Sequence, residues 1–200
     1  MSRWSTYYDA VAGRPPRPLL LDVLKMFADD ASDPPSQPRV AVDLGSGDGT
    51  EALALLDAGW RVCAVDSEPA AARRLTASRS PAWADRLSIV TIDLAEFDVP
   101  PADLVWASLT LFFLESNGFA ALWRRIRTAL LPGGRFAGQF LGTNDSWASD
   151  PGNTALTEQQ VRALLAGLDI ERFDTQDSDG VAVSGPKHWH LFHVVARRPA

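Results

Sequence analysis

A short stretch with three alternating glycines is the feature of this sequence that points most directly to ligand binding. Residues 40–50 are VAVDLGSGDGT, in which an apolar strand leads into Gly45, Gly47 and Gly49 and a helix begins at once. Glycines let the backbone turn sharply and let a ligand approach where a Cβ would block it. The first turn of the helix adds unpaired N–H groups. The segment therefore predicts a site for a nucleotide-like ligand.

An acidic residue at the end of the next strand is placed to bind a ribose. Asp66 follows the apolar run 61–65, about 20 residues beyond the glycines, as in nucleotide-binding folds. Its alternative role is the N-cap of a helix predicted over residues 68–78. Because Ser67 can provide that cap, we expect Asp66 to accept hydrogen bonds from both ribose hydroxyls.

Few residues suggest acid–base or metal chemistry. His188 is the best candidate for a general base, since imidazole titrates near neutral pH. Its alternative role is that of a strand-edge histidine bonded to the backbone. A metal site at His188 and His190 would need a third ligand. The sequence shows no metal-ligand spacing, and we expect no metal.

Alternating strands and helices must position these residues. Five apolar runs predict strands, at residues 39–44, 61–65, 87–92, 104–109 and 135–141. Three stretches between them predict helices, at residues 50–58, 68–78 and 119–130. The alternation predicts a Rossmann-like, doubly wound α/β sheet, mostly parallel, with helices on both faces. In such sheets, ligands bind beyond the carboxyl ends of the strands.

The last quarter of the chain breaks this alternation. We expect a helix over residues 158–168, a strand over 169–175, a loop over 176–187 and a strand over 188–196. Two strands joined only by a loop should be antiparallel, since a parallel return needs a longer crossover. The sheet should therefore be mixed, with an antiparallel last strand that starts near the substrate.

Composition and charge exclude several classes of partner. The chain has 200 residues, 46% of them hydrophobic, which suits one domain with a core. A net charge of −6, without a long basic cluster, argues against nucleic acid. No stretch approaches the ~20 apolar residues that span a bilayer, and the start lacks a secretory signal. We expect a cytoplasmic monomer or homodimer that acts on a small molecule and has no membrane partner.

The glycine segment and its surroundings resemble class I S-adenosylmethionine-dependent methyltransferases. Glycines at 45, 47 and 49, with Asp43 just before them, are similar to the family's first motif. Residues 107–115, ASLTLFFLE, look like the fourth-strand region of small bacterial methyltransferases of the tellurite-resistance type. Residues 130–134, LLPGG, are similar to the turn before the fifth strand. The resemblance covers residues 39 to about 196.

The resemblance implies S-adenosylmethionine as the cofactor. Asp43, Gly45 and Gly47 would lie against its methionine and ribose portions, and Asp66 would hold the ribose. These assignments agree with the geometry expected from the glycine segment alone.

The resemblance also implies roles for residues after the third and fourth strands. Asp93 and the backbone of Leu94 would bind the adenine, although Asp93 has an alternative as a turn residue. Ser108 would lie beneath the sulfonium. Residues 108–111 are SLTL instead of the Asn/Asp-Pro-Pro-aromatic motif of enzymes that methylate adenine or glutamine amides. That difference argues against amide and exocyclic-amine acceptors.

The N-terminal segment is predicted to cover the cofactor or substrate, as such segments often do in this family. We expect residues 1–38 to form a helix and a linker (29–38), and residues 39–200 to form the methyltransferase domain, within one structural domain. Tyr7 or Tyr8 would pack on the sulfonium, because aromatic faces attract cations. Arg14 would pair with the cofactor carboxylate. Alternatively, these aromatic residues anchor the segment to the core.

These features predict methyl transfer from S-adenosylmethionine to a small-molecule acceptor by in-line displacement, with Tyr8 and His188 as candidate catalytic residues. An intact cofactor site fits equally a non-catalytic sensor or assembly protein. A nicotinamide-dependent reductase is a third possibility. Thr50, where a dinucleotide fingerprint would have its third glycine, and the closing hairpin argue against it.

Overall fold

A computed structural model describes residues 3–30, 37–78 and 80–200. Within them, six α-helices are formed: α1 (Arg3–Val11), α2 (Pro18–Asp29), α3 (Thr50–Asp57), α4 (Pro69–Ala77), α5 (Ser116–Ala129) and α6 (Glu158–Leu164). Eight strands are formed: β1 (Val40–Leu44), β2 (Arg61–Asp66), β3 (Leu87–Thr91), β4 (Ala102–Ala107), β5 (Leu130–Gly142), β6 (Ala155–Leu156), β7 (Asp169–Ala182) and β8 (Gly185–Arg197).

All eight strands belong to one mixed sheet. Its order is β3-β2-β1-β4-β5-β8-β7, and the short β6 pairs with β5. The strands from β1 to β6 pair in parallel, whereas β8 runs antiparallel to both β5 and β7. After β3 at one edge, the chain crosses back over the sheet, and β4 pairs with β1 on the side opposite β2. The predicted Rossmann-like mixed sheet is confirmed.

Two apolar layers cover the sheet, one on each face. On one face, α2, α3 and α4 bury leucines such as Leu20, Leu55 and Leu75. On the other, α5 and α6 contribute side chains such as Phe119 and Val161. Apolar residues on both sides of each strand explain the continuous apolar runs of β1, β2 and β4.

The structure corrects the sequence-based boundaries in the last quarter. The helix predicted over residues 158–168 ends at Leu164, and Gly167 follows with a φ of 84°. The loop predicted over residues 176–187 is wrong, because these residues extend β7 and β8 up to a tight turn between Ala182 and Gly185. Polar residues and glycines suggested a loop there, but the backbone of the partner strand supplies the hydrogen bonds of a sheet.

The two N-terminal helices have different environments. Helix α2 buries Leu19, Leu20, Val23 and Phe27 against the sheet. Helix α1 lies over the carboxyl edge, where Tyr8 packs on α4. Most of the predicted linker, residues 31–36, lies outside the described residues. Among the described helices, none has the length and apolar character needed to cross a membrane.

Candidate functional site

The central strands bring three predicted site residues to the same edge of the sheet. β1 pairs in parallel with β2 on one side and with β4 on the other, so their carboxyl ends are adjacent. Asp43 lies near the end of β1, Asp66 is the last residue of β2, and Ser108 directly follows β4. Predictions from separate parts of the sequence therefore meet in one place.

The glycine turn, residues 45–49, has the backbone conformation that favours glycine. The φ angles are 71° at Gly45, 53° at Gly47 and 85° at Gly49. The N–H groups of Gly45 and Ser46 donate to the carbonyl of Val65, at 2.8 and 3.0 Å, which fixes the turn to the end of β2. A Cβ on Gly45 would lie 2.2 Å from Oγ1 of Thr110. A larger residue would therefore force the turn and the loop after β4 apart.

Asp66 is held by donors from three segments. Its Oδ2 accepts the N–H of Gly47 at 2.9 Å, and its Oδ1 accepts the N–H of Glu68 at 2.8 Å. The hydroxyl of Tyr8 donates to both oxygens, at 3.3 and 3.2 Å. The alternative role as a helix N-cap is not observed, since Glu68 is the N-cap of α4.

Asp43 and Ser108 each carry a buried polar atom that lacks a partner. Among the described residues, nothing forms a hydrogen bond with Oδ2 of Asp43 or with Oγ of Ser108. Burial, and then the nearby carboxylate of Glu51 and that of Asp66, raises the pKa of Asp43. Unpaired buried polar atoms cost stability and commonly mark ligand contacts. Together with the open backbone of the glycine turn, these atoms fit a polar ligand such as S-adenosylmethionine.

Arg14 lies beside this site but is already paired. Its guanidinium binds both carboxylate oxygens of Glu51 at 2.6 Å, and it contacts Asp48 at 3.3 Å. The predicted pairing of Arg14 with a cofactor carboxylate stays a prediction. Sequence reasoning missed Asp48 and Glu51, although their position at the start of α3 was a usable signal.

The charges around the glycine turn are mostly negative. Asp48, Glu51 and Asp66 are near enough to the buried Asp43 to raise its pKa, and Arg14 forms ion pairs with Asp48 and Glu51. Such a site favours a ligand that carries positive charge, such as a sulfonium and an ammonium group. A dinucleotide would instead place a doubly negative pyrophosphate at the turn.

The residues predicted for the adenine lie in the loop after β3. Oδ1 of Asp93 accepts the N–H of Ala95 at 2.8 Å, which is the turn interaction given as its alternative role. Leu94 is buried, and its carbonyl accepts a hydrogen bond from Arg125 at 3.2 Å. One carboxylate oxygen of Asp93 is engaged in this turn, and the adenine assignment stays a prediction.

The loop after β4 contains a strained residue. Leu109 has a φ of 51°, a value that non-glycine residues rarely adopt. Its N–H donates to Oε1 of Gln139, at 3.1 Å, and Gln139 is buried in β5. Sequence reasoning missed Gln139, because a polar residue inside an apolar strand was its only signal.

Aromatic side chains lie around the outer part of the carboxyl edge of the sheet. We call Trp4, Phe112, Phe113, Trp147 and Trp189 the aromatic cluster. Ring centroids lie 4.9 Å apart for Trp4 and Phe113, 5.8 Å for Phe113 and Trp147, and 5.5 Å for Trp147 and Trp189.

A buried ion pair lies beneath two rings of this cluster. The ammonium of Lys187 is 3.9 Å from the ring centre of Trp147 and 4.4 Å from that of Trp189. It binds the buried carboxylate of Asp145, which also accepts the N–H of His190 at 2.9 Å. This ion pair holds the two tryptophans in position at the carboxyl edge of the sheet.

His188 lies in the part of β7 and β8 that extends beyond β5. Its Nδ1 is 2.7 Å from Asp179 and its Nε2 is 2.7 Å from Asp177. These hydrogen bonds raise the pKa of His188 and favour the imidazolium, which has no lone pair to accept a proton. The environment disfavours the predicted role as a base, which stays untested. Nδ1 of the buried His190 instead accepts the N–H of Asn144 at 3.0 Å.

Comparisons with known proteins agree with this site. A family model described as a methyltransferase domain matches residues 42–136, which include the glycine turn and the ends of β2 and β4. No curated protein sequence gives a significant match to the chain.

Solved structures share the fold at low sequence identity. TehB from Haemophilus influenzae has a TM-score of 0.73 and 13% identity, over 98% of this chain and 67% of its own. NodS from Bradyrhizobium japonicum, an N-methyltransferase in complex with S-adenosylhomocysteine, has a TM-score of 0.67 and 16% identity, over 100% of both chains. The 1,6-didemethyltoxoflavin-N1-methyltransferase from Burkholderia thailandensis has a TM-score of 0.63 and 22% identity, over 98% and 85%.

The domain match, the sheet order and the acidic glycine turn support one another. The predicted resemblance and the predicted cofactor are confirmed, and the nicotinamide alternative is set aside. Residues 42–136 of the chain match a methyltransferase domain, and the chain has the fold of S-adenosylmethionine-dependent methyltransferases.

Proposed function

We propose that the protein transfers the methyl group of S-adenosylmethionine to a small, apolar or aromatic acceptor. The observation that carries this proposal is the position of the aromatic cluster. Thr110 lies against Gly45, and the turn that bears Phe112 and Phe113 follows Thr110 directly. The aromatic cluster therefore begins next to the glycine turn. An acceptor held against these rings would lie next to the glycine turn.

The chain's own residues would hold the cofactor by complementary charge and hydrogen bonds. Asp43 and Asp66 would accept hydrogen bonds from its methionine and ribose portions, and Gly45 and Gly47 would let the backbone approach it. Asp93 and the backbone of Leu94 would bind the adenine. When bound, the cofactor supplies an electrophilic methyl group on a sulfonium whose leaving group departs neutral.

The remaining task of the site is to align the acceptor and exclude water. Ser108 and the strained Leu109 lie where β4 ends, between the glycine turn and the aromatic cluster. Aromatic walls remove water from an acceptor and orient a planar group. Because no base is favoured here, we propose an acceptor whose attacking atom already carries a free lone pair, such as a thiolate or a similar soft anion.

Two solved structures of the same fold are methyltransferases named after small ring compounds. Their names give magnesium protoporphyrin IX for one and 1,6-didemethyltoxoflavin for the other. These acceptors belong to those proteins, and they support a small molecule as the acceptor class here.

A transfer assay with a labelled methyl group tests the proposal. The purified protein would be given S-adenosylmethionine labelled in the methyl group together with a panel of aromatic thiols, phenols and carboxylates. We expect transfer to at least one aromatic thiol, and a loss of transfer in Trp147→Ala with cofactor binding retained. Tight binding of S-adenosylhomocysteine without transfer to any acceptor would contradict the proposal and favour a binding protein.

A further inference from the structure

The hydroxyl of Tyr8 occupies the acceptor positions that a ribose would need. It donates to Oδ1 of Asp66 at 3.3 Å and to Oδ2 at 3.2 Å. The N–H groups of Gly47 and Glu68 bind the same two oxygens. An ionised carboxylate has about four lone-pair sites, and these three donors already use most of them.

The ring of Tyr8 also covers the glycine turn. A Cβ placed on Gly47 would lie 3.3 Å from Cε1 of Tyr8. The side chain is buried, at 4% exposure, and packs on Ala70 and Ala71 of α4. Burial and the carboxylate of Asp66 raise the pKa of Tyr8, so its hydroxyl stays protonated and acts as a donor. A ligand that approached the backbone of Gly47 would meet this ring.

Asp9 and Trp4 form further contacts between α1 and the body of the protein. Asp9 forms an ion pair with Arg74 on the surface, where such pairs contribute little. Trp4 packs edge-on against Phe113, with ring centroids 4.9 Å apart. Breaking the Tyr8–Asp66 contact would remove the main buried polar attachment of the helix.

The chain after α1 contains a candidate hinge at Gly13. Helix α1 ends at Val11, and Gly13 has a φ of 77°. A Cβ on Gly13 would meet no atom of the described residues within 4 Å, and one backbone hydrogen bond spans this turn, from the N–H of Arg14 to the carbonyl of Val11 at 3.3 Å. Arg14, the next residue, is fixed by both oxygens of Glu51. A glycine turn held by a single backbone hydrogen bond, directly before a fixed residue, can serve as a hinge.

We propose that α1 is an internal plug, in which Tyr8 competes with the ribose hydroxyls of S-adenosylmethionine for Asp66. Cofactor binding then requires α1 to rotate away about Gly13, so that Trp4 leaves the aromatic cluster and the other four rings remain to hold the acceptor. The inference rests on the proposed placement of the ribose at Asp66. Its consequence is that the apparent cofactor affinity is lowered by the fraction of molecules in the plugged state.

Calorimetric titration with S-adenosylhomocysteine tests the competition directly. Tyr8→Phe keeps the ring and removes only the hydroxyl, so we expect its Kd to fall by about tenfold. Thr6→Val, which removes a hydroxyl from an exposed residue of the same helix, should bind like the unaltered protein. An equal or higher Kd for Tyr8→Phe would overturn the plug.

Hydrogen exchange measured by mass spectrometry gives a second readout that needs no activity. We expect the amides of residues 3–11 to exchange faster when S-adenosylhomocysteine saturates the protein. Slower exchange would mean that α1 closes over the ligand, and the plug would be wrong. If neither the unaltered protein nor either variant binds S-adenosylhomocysteine, the proposed function itself fails. If all three bind equally, only the plug is wrong.

Discussion

Asp43 and Asp66 are carboxylates at the ends of neighbouring strands, but their surroundings differ. Asp66 accepts hydrogen bonds from Gly47, Glu68 and Tyr8. Asp43 is buried with an unpaired Oδ2 among other carboxylates. Asp66 therefore contributes to local structure as well as to binding, whereas Asp43 costs stability until a ligand binds.

Asp66→Ala is expected to weaken both binding and folding. Loss of the ribose acceptor should weaken S-adenosylhomocysteine binding by ~1–3 kcal/mol. Loss of the acceptor for the N–H groups of Gly47 and Glu68 should lower the free energy of unfolding by roughly 1–2 kcal/mol. Calorimetry and urea unfolding measure the two effects, and unchanged affinity would mean that the ribose assignment is wrong.

Asp43→Asn is expected to change how stability depends on pH. Burial, with the charges of Glu51, Asp66 and Asp48, raises the pKa of Asp43 in the folded protein. The unfolded chain ionises this group near pH 4, so the folded state loses stability as the pH rises from there through the raised pKa.

The asparagine variant lacks this loss. Its free energy of unfolding should exceed that of the unaltered protein at pH 7, and the difference should disappear below about pH 4. Urea unfolding across this pH range provides the measurement. A difference that does not vary with pH would contradict the raised pKa.

At the scale of elements, the extension of β7 and β8 beyond the sheet determines the environment of His188. Asp177 and Asp179 lie on β7 and face His188 across the strand pair. Two carboxylates on one imidazole stabilise its charged form. The sequence placed Asp177 and Asp179 in a loop and His188 at the start of a strand, where no such arrangement would be expected.

The double substitution Asp177→Asn, Asp179→Asn should lower the pKa of His188 towards the ordinary histidine value of about 6.5. NMR titration of the imidazole in both proteins measures the change. An unchanged pKa would show that these contacts do not form in solution.

The same pair of proteins tests the predicted base. If His188 removed a proton in the reaction, the pH dependence of kcat/KM would shift with its pKa. We expect no such shift, since the ion pairs favour the imidazolium. A matching shift would restore His188 as the base.

At the scale of the whole molecule, one buried cation joins parts of the chain that are far apart in sequence. Arg135 on β5 binds Glu171 on β7 through two hydrogen bonds, at 2.6 and 2.8 Å, and binds Asp30 after α2 at 2.7 Å. Its side chain is 2% exposed. One guanidinium therefore connects the end of α2 with the antiparallel strands of the sheet.

Glu171→Ala is expected to lower the free energy of unfolding by about 3 kcal/mol, because it leaves a buried cation with one carboxylate. Glu158→Ala is the matched control, since the pair of Glu158 and Arg162 is about half exposed. It should change stability by less than about 1 kcal/mol. Equal effects in urea unfolding would show that Arg135 does not depend on Glu171.

The sequence by itself determined the glycine turn, the acidic residue at the end of β2 and the Rossmann-like mixed sheet. An apolar strand, a glycine turn and a helix are encoded within about a dozen residues, so the turn at 45–49 and the position of Asp66 follow from local pattern alone. The same holds for the closing antiparallel strands, whose short connection limits their direction.

Only the tertiary structure decided which side chains meet across the chain. Tyr8 and Asp66 are 58 residues apart, and neither residue type nor periodicity shows that one binds the other. The length of β7 and β8 was equally hidden, because polar residues enter a strand only when a partner strand supplies their hydrogen bonds. Local pattern records propensity and burial, whereas long-range contacts depend on how the finished elements pack.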